Sequence, residues 1–184
     1  MSIAQVAAAA RALWPSGSIG TTEGQLPTAV VMTAIAGAES GYNLSAQGDS
    51  VSELQAAGAA QQTIAAVAQG GCGGYGSWGA WQVFLPYHLA LIQSLAGQPG
   101  MSPCQGAAWL TQGGGYNAAK AANEILYESG LGAWSTYSGG AWTAHLAQAQ
   151  AALGQAQAGS PGKEAALAAA VVAAAAAAAI VAGQ

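Results

Sequence analysis

Between Pro27 and Gly41 lies a run, residues 28–39, that is apolar on nearly every helical face and closes on a glutamate, Glu39. A helix at a protein surface keeps one face polar, so an all-round apolar helix has to be covered on most sides. The rest of the chain must therefore supply a shell around it. With 184 residues it is long enough for one domain with a sizeable core.

The other segments read mostly as helical shell. Residues 1–14 predict a short helix that Pro15 and the Gly/Ser cluster up to Gly20 terminate. Residues 52–68 predict another, with Ser52 as its cap, followed by a Gly-rich loop over 70–79. A turn leads into a helix from Pro86, and a polar loop runs through Pro103 to Gly115. Tyr116 or Asn117 opens a helix over 117–128, in which Ala118, Ala121, Ala122 and Ile125 share one face and Gly130 is the stop. An aromatic turn over 134–140 precedes a helix over 142–157. The expected fold class is mainly α. Ala supplies much of the composition and has the highest helix propensity, which argues against a β-rich fold.

Four regions are expected: an N-terminal helix and linker over 1–24, the main domain over 25–150, a linker over 151–164, and an Ala-rich apolar helix over 165–184. In the last of these, residues 165–183 are uncharged. Nineteen residues at about 1.5 Å rise span about 28 Å, close to a bilayer's hydrocarbon thickness. Membrane insertion and close packing in an oligomer or assembly are both open to such a small-residue helix. Residues 1–14 lack the charged start and cleavage site of a secretory signal, so no classical export signal is expected.

Charge narrows the partners. Only 5% of residues are charged, the net charge is -4, and the cations are Arg11, Lys120 and Lys163. No basic stripe for a phosphate backbone can be built from three, so nucleic acid is excluded as a partner. His88 and His145 are not at ligand spacing from each other or from the cysteines, and neither a metal nor a cofactor is expected. Cys72 and Cys104 sit in Gly/Ser/Pro-rich stretches. Whether they form a disulfide depends on the compartment and on how near their Cα atoms come.

The catalytic candidates can be found by elimination. Among Glu23, Glu39, Asp49, Glu53, Glu124, Glu128 and Glu164, only Glu39 ends an apolar helix. Desolvation and the negative end of the helix dipole both favour its protonated form. A carboxylic acid kept protonated near neutral pH suits general acid catalysis on a glycosidic oxygen.

Around Glu39 stand Glu39-Ser40-Gly41-Tyr42-Asn43 and, later, Ser77-Trp78-Gly79-Ala80-Trp81-Gln82-Val83. These resemble the paired motifs of soluble lytic transglycosylases and goose-type lysozymes, Glu-Ser-Gly and Ser-x-Gly-Leu-x-Gln-Ile, with Ala80 for Leu and Val83 for Ile. The stretch from Asn117 to Ala122 resembles that family's Asn-containing helix start, and Trp134-Ser135-Thr136-Tyr137 its Trp-Ser-x-Tyr ending in phage-borne versions. The motifs cover roughly residues 25–147. The chain departs from the pattern in an Ala/Gln-rich insertion over 51–70.

The resemblance implies a lysozyme-like fold with a buried catalytic helix, and one catalytic carboxyl, Glu39. It would act as acid between N-acetylmuramic acid and N-acetylglucosamine in peptidoglycan glycan strands, with water or the muramoyl 6-hydroxyl as nucleophile. Ser77 and Gln82 would line the cleft floor. Trp81, Tyr116, Trp134 and Tyr137 would pack against sugar rings or serve as core, and Asn117 would hold an acetamido group or cap its helix. Asp49 and Glu53 are solvated surface groups or, for Asp49, a positioner of water. A phage particle is the expected setting, with virion proteins or further copies as partners. The competing expectation is an inactive virion structural or ejection protein, against which Glu39 and Gln82 argue.

Overall fold

The computed structural model describes residues 3–158, and the apolar run 165–183 and residues 159–164 of the preceding linker lie outside them. The described chain is mainly helical. At its centre is α2 (Thr28–Ser40), where Val31, Met32, Ala34, Ile35 and Ala36 are 0% exposed. Complete cover on successive residues is what the all-round apolar run requires.

That cover comes from both ends of the described residues. α1 (Ile3–Leu13) buries Val6, Ala7, Ala9 and Ala10 and packs against α2. α9 (Leu146–Ala158) and the 3-10 turn Ala141–His145 close the other sides. The small side chains of α1 allow close helix approach. α1 is thus part of the core, not a segment ahead of the domain, and α9 runs past the linker boundary expected at 151.

Two small antiparallel sheets were not expected. β1 (Ser18–Thr21) and β2 (Gly24–Pro27) form a hairpin whose turn is held by Thr21 Oγ1 donating to the Gly24 carbonyl at 2.9 Å. β3 (Gln47–Ser50), β4 (Tyr75–Trp78) and β5 (Val83–Phe84) form the second sheet in the order β3-β4-β5. β4 therefore replaces part of the loop expected over 70–79. Gly48 pairs with Ser77 across β3 and β4.

The helix expected over 52–68 is two helices, α3 (Val51–Ala56) and α4 (Gln61–Gly70), separated where Gly58 takes φ +68. Its cap is Ser50, not Ser52: Ser50 Oγ accepts the Glu53 amide while Glu53 accepts the Ser50 amide. α5 (Leu85–Ala96) follows, with Pro86 in its first turn. The polar loop expected before Gly115 contains α6 (Pro103–Thr111), opened by a Ser102/Gln105 capping box. α7 (Tyr116–Ser129) buries Ala118, Ala121, Ala122 and Ile125 on one face and stops at Gly130. The aromatic turn contains a single helical turn, α8 (Ser135–Ser138).

Cys72 and Cys104 are bonded, with Cα atoms 4.8 Å apart. The bridge ties the turn before β4 to the first turn of α6. Among the described residues no helix is long and apolar enough to cross a membrane.

Candidate active site

Glu39 lies in the last turn of α2. Gly41 ends that helix in the left-handed region, φ 62, and its amide returns to the Gly37 carbonyl at 2.9 Å. A residue with a Cβ would be strained there. The chain then turns into β3, which brings Asp49 to the same cleft as Glu39.

The cleft holds about 550 Å³ and is open to solvent on one side. Glu39, Asp49, Ser77, Gln82, His88 and Trp134 are among the residues that line it. Burial raises the Glu39 pKa above its ordinary value, and the charge of Asp49 raises it further. Hydrogen bonds from the Thr136 hydroxyl and backbone N–H pull the other way without cancelling the rise. The hydroxyl donates to Glu39 Oε1 at 2.5 Å.

Asp49 is held differently. Ser77, 2% exposed, donates its hydroxyl to Asp49 Oδ2 across the β3–β4 pair. Asp49 has φ 56, and Gln82, also on the cleft, has φ 47. Left-handed backbone at a residue with a side chain is uncommon and concentrates at functional sites. Gln82 donates through Nε2 to the Gly79 carbonyl at 2.9 Å, so its amide is oriented by its own turn. Glu53 reaches the cleft wall as the exposed partner in the Ser50 cap, which lowers its pKa.

The aromatics divide. Trp134 lines the cleft with part of its surface, although it is 5% exposed and its Nε1 donates to the Trp81 carbonyl at 2.9 Å. Trp81 is 0% exposed, donates to the Met32 carbonyl at 2.8 Å and meets Trp14 edge-on, so it is core and cannot pack against a sugar. Tyr137 stacks on Trp142 with ring centres 5.3 Å apart. Tyr116 and Asn117 lie outside the cleft lining; Asn117 Nδ2 donates to the Trp109 carbonyl at 2.9 Å, which joins α6 to α7. Of the residues expected to contact substrate, the fold brings Ser77, Gln82 and Trp134 to Glu39, and not Trp81, Tyr116, Asn117 or Tyr137.

Sequence reasoning missed Thr136, His88 and Phe84. Thr136 occupies the variable position of the Trp-Ser-x-Tyr motif, where nothing in one sequence marks it. His88 and Phe84 fall one turn apart at the start of α5, a spacing that shows one face but not what it faces. Burial lowers the His88 pKa, opposed by the charge of Glu128.

Among the described residues no group of three or more His, Cys, Asp or Glu side chains is arranged to hold a metal ion. Comparison of the chain with family models, curated proteins and solved structures returns no match.

Proposed function

We propose that this chain is a peptidoglycan-cleaving muramidase of lysozyme-like fold, acting on the bond between N-acetylmuramic acid and N-acetylglucosamine. The observation that carries the reading is the pair of carboxyl groups in one cleft, Glu39 desolvated and raised in pKa and Asp49 bonded to Ser77. A carboxyl kept protonated by burial, in the same cleft as a second carboxyl that accepts a hydroxyl hydrogen bond, offers an acid and a base for one reaction. Glu39 gives its proton to the leaving glycosidic oxygen as the bond to the muramoyl C1 breaks. Asp49 takes the proton of the oxygen that attacks C1.

If that oxygen is water, the product carries a reducing end; if it is the muramoyl 6-hydroxyl, a 1,6-anhydro ring results. Asp49 favours water, because a held carboxylate beside the acid is what an attacking water needs for orientation. The four ordered motifs in the sequence add support that is independent of the cleft. Delivery by a phage particle belongs to the same reading, supported by the likeness of Trp134-Ser135-Thr136-Tyr137 to phage-borne versions and by the apolar composition of residues 165–183.

Mass spectrometry of the material released from purified peptidoglycan tests the reading. Soluble disaccharide muropeptides with new glycan ends are expected. Release of nothing, or of fragments cut only in the peptide, overturns it.

A further inference from the structure

Thr136 and Glu39 belong to elements far apart in the sequence, yet a closed series of hydrogen bonds fixes their separation. On α2 the Met32 carbonyl accepts from Trp81 Nε1 at 2.8 Å, and the Trp81 carbonyl accepts from Trp134 Nε1 at 2.9 Å. Two residues beyond Trp134, the Thr136 hydroxyl returns to α2 at Glu39 Oε1. Both indoles are buried, so their two bonds are shielded from water, and the circuit reaches the cleft only at the half-buried Thr136–Glu39 bond.

α8 also lacks a cap of its own. Trp134, at the position before its first residue, makes no side-chain cap bond. The Thr136 backbone N–H, one of the orphan donors of that first turn, acts with the hydroxyl to hold the Glu39 pKa down.

We propose that Thr136 is the positioning residue for the acid: by occupying Glu39 Oε1 as donor, it leaves the transferable proton on Oε2. An oxygen that accepts a hydroxyl at 2.5 Å is the poorer place for a proton, since protonation there would oppose two hydrogens. The carboxyl plane is thereby fixed, with one oxygen anchored and the other free to act. This rests on the reading of Glu39 as the catalytic acid.

The test uses Thr136→Val, which keeps shape and backbone N–H and removes the hydroxyl, beside Thr136→Ser. Glu39 is followed by its carboxyl ¹³C signal through a pH titration, and muropeptide release by its pH profile. In the valine variant the Glu39 midpoint moves to higher pH, because a donor to the charged form is gone. The alkaline limb of the profile moves with it, kcat falls about tenfold or more, and serine restores all three. An unchanged Glu39 titration in the valine variant overturns the proposal. The NMR arm needs no turnover, so a wild type that releases nothing defeats the functional reading alone. If the valine variant does not fold, Thr136→Ala is titrated against serine by the same criterion.

Discussion

Gly48 lies flat against the side chain of Gln82: a Cβ at position 48 would stand 2.2 Å from Gln82 Oε1. No real contact is that short, so with alanine at 48 the Gln82 amide must shift. Gly48→Ala is expected to lower muropeptide release about tenfold or more while thermal stability changes little, since a small displacement near the chemistry costs far more in rate than in stability. Gly132→Ala, where a Cβ meets nothing within 4 Å, is the control. Equal activity of the two variants would show that the placing of the Gln82 amide on the cleft does not affect release.

Glu39 makes stability depend on pH in a direction opposite to that of an ion-paired carboxylate. Its folded pKa lies above the ordinary 4.5. Between those two values the folded chain binds more protons than the unfolded one, so stability falls as pH rises through that window. Below 4.5 the penalty is absent, and above the folded pKa it is present in full. Glu39→Gln is expected to gain stability over the wild type as pH rises above 4.5 and to keep that gain above the folded pKa. Thermal melts that stay parallel across that range would show that burial does not penalise the charge.

Trp81 should matter to folding and not to sugar contact. Trp81→Phe removes the Nε1 donor to the Met32 carbonyl and part of a fully buried side chain, which is expected to cost about 1–3 kcal/mol. Chemical denaturation measures this. Glycan affinity per folded molecule is expected to stay at the wild-type value, and weakened affinity at unchanged stability would contradict the core assignment.

The bridge between Cys72 and Cys104 closes a loop with a sequence separation of 32. Loop-closure entropy for that length corresponds to about 3–4 kcal/mol. Denaturation with and without reductant is expected to differ by about 2–4 kcal/mol. Coincident curves would mean that the cross-link adds no net stability.

The central helix was legible because its pattern is extreme: nearly every position from Ala29 to Gly37 is apolar, and all of them are buried. The face of α7 was legible for the same reason, since Ala118, Ala121, Ala122 and Ile125 repeat at helical spacing. The strands were not. β3 reads Gln-Gly-Asp-Ser and β1 Ser-Ile-Gly-Thr, short polar or glycine-bearing runs without the alternation that marks a half-buried strand. α6 did carry a signal, Ser102-Pro103 followed by Gln105, which is a capping box with proline in the first turn.

At the site, Glu39 could be found by elimination because so few carboxylates compete with it. Asp49 could not be placed, since its approach to Glu39 depends on the turn after Gly41 and on pairing with β4, a contact between distant segments. The aromatic residues stayed open between core and sugar contact for a physical reason. Trp and Tyr serve core and ligand equally well by composition, and only burial separates Trp81 from Trp134's exposed edge.

The most direct measurement compares wild type, Glu39→Gln and Glu39→Asp in the release of muropeptides from purified peptidoglycan, with circular dichroism to establish that all three are folded. Glutamine keeps an acceptor for Thr136 but has no proton to give, so release is expected to fall by about 100-fold or more, with aspartate recovering part of it. A folded Glu39→Gln variant that releases muropeptides at the wild-type rate would contradict the account at its centre.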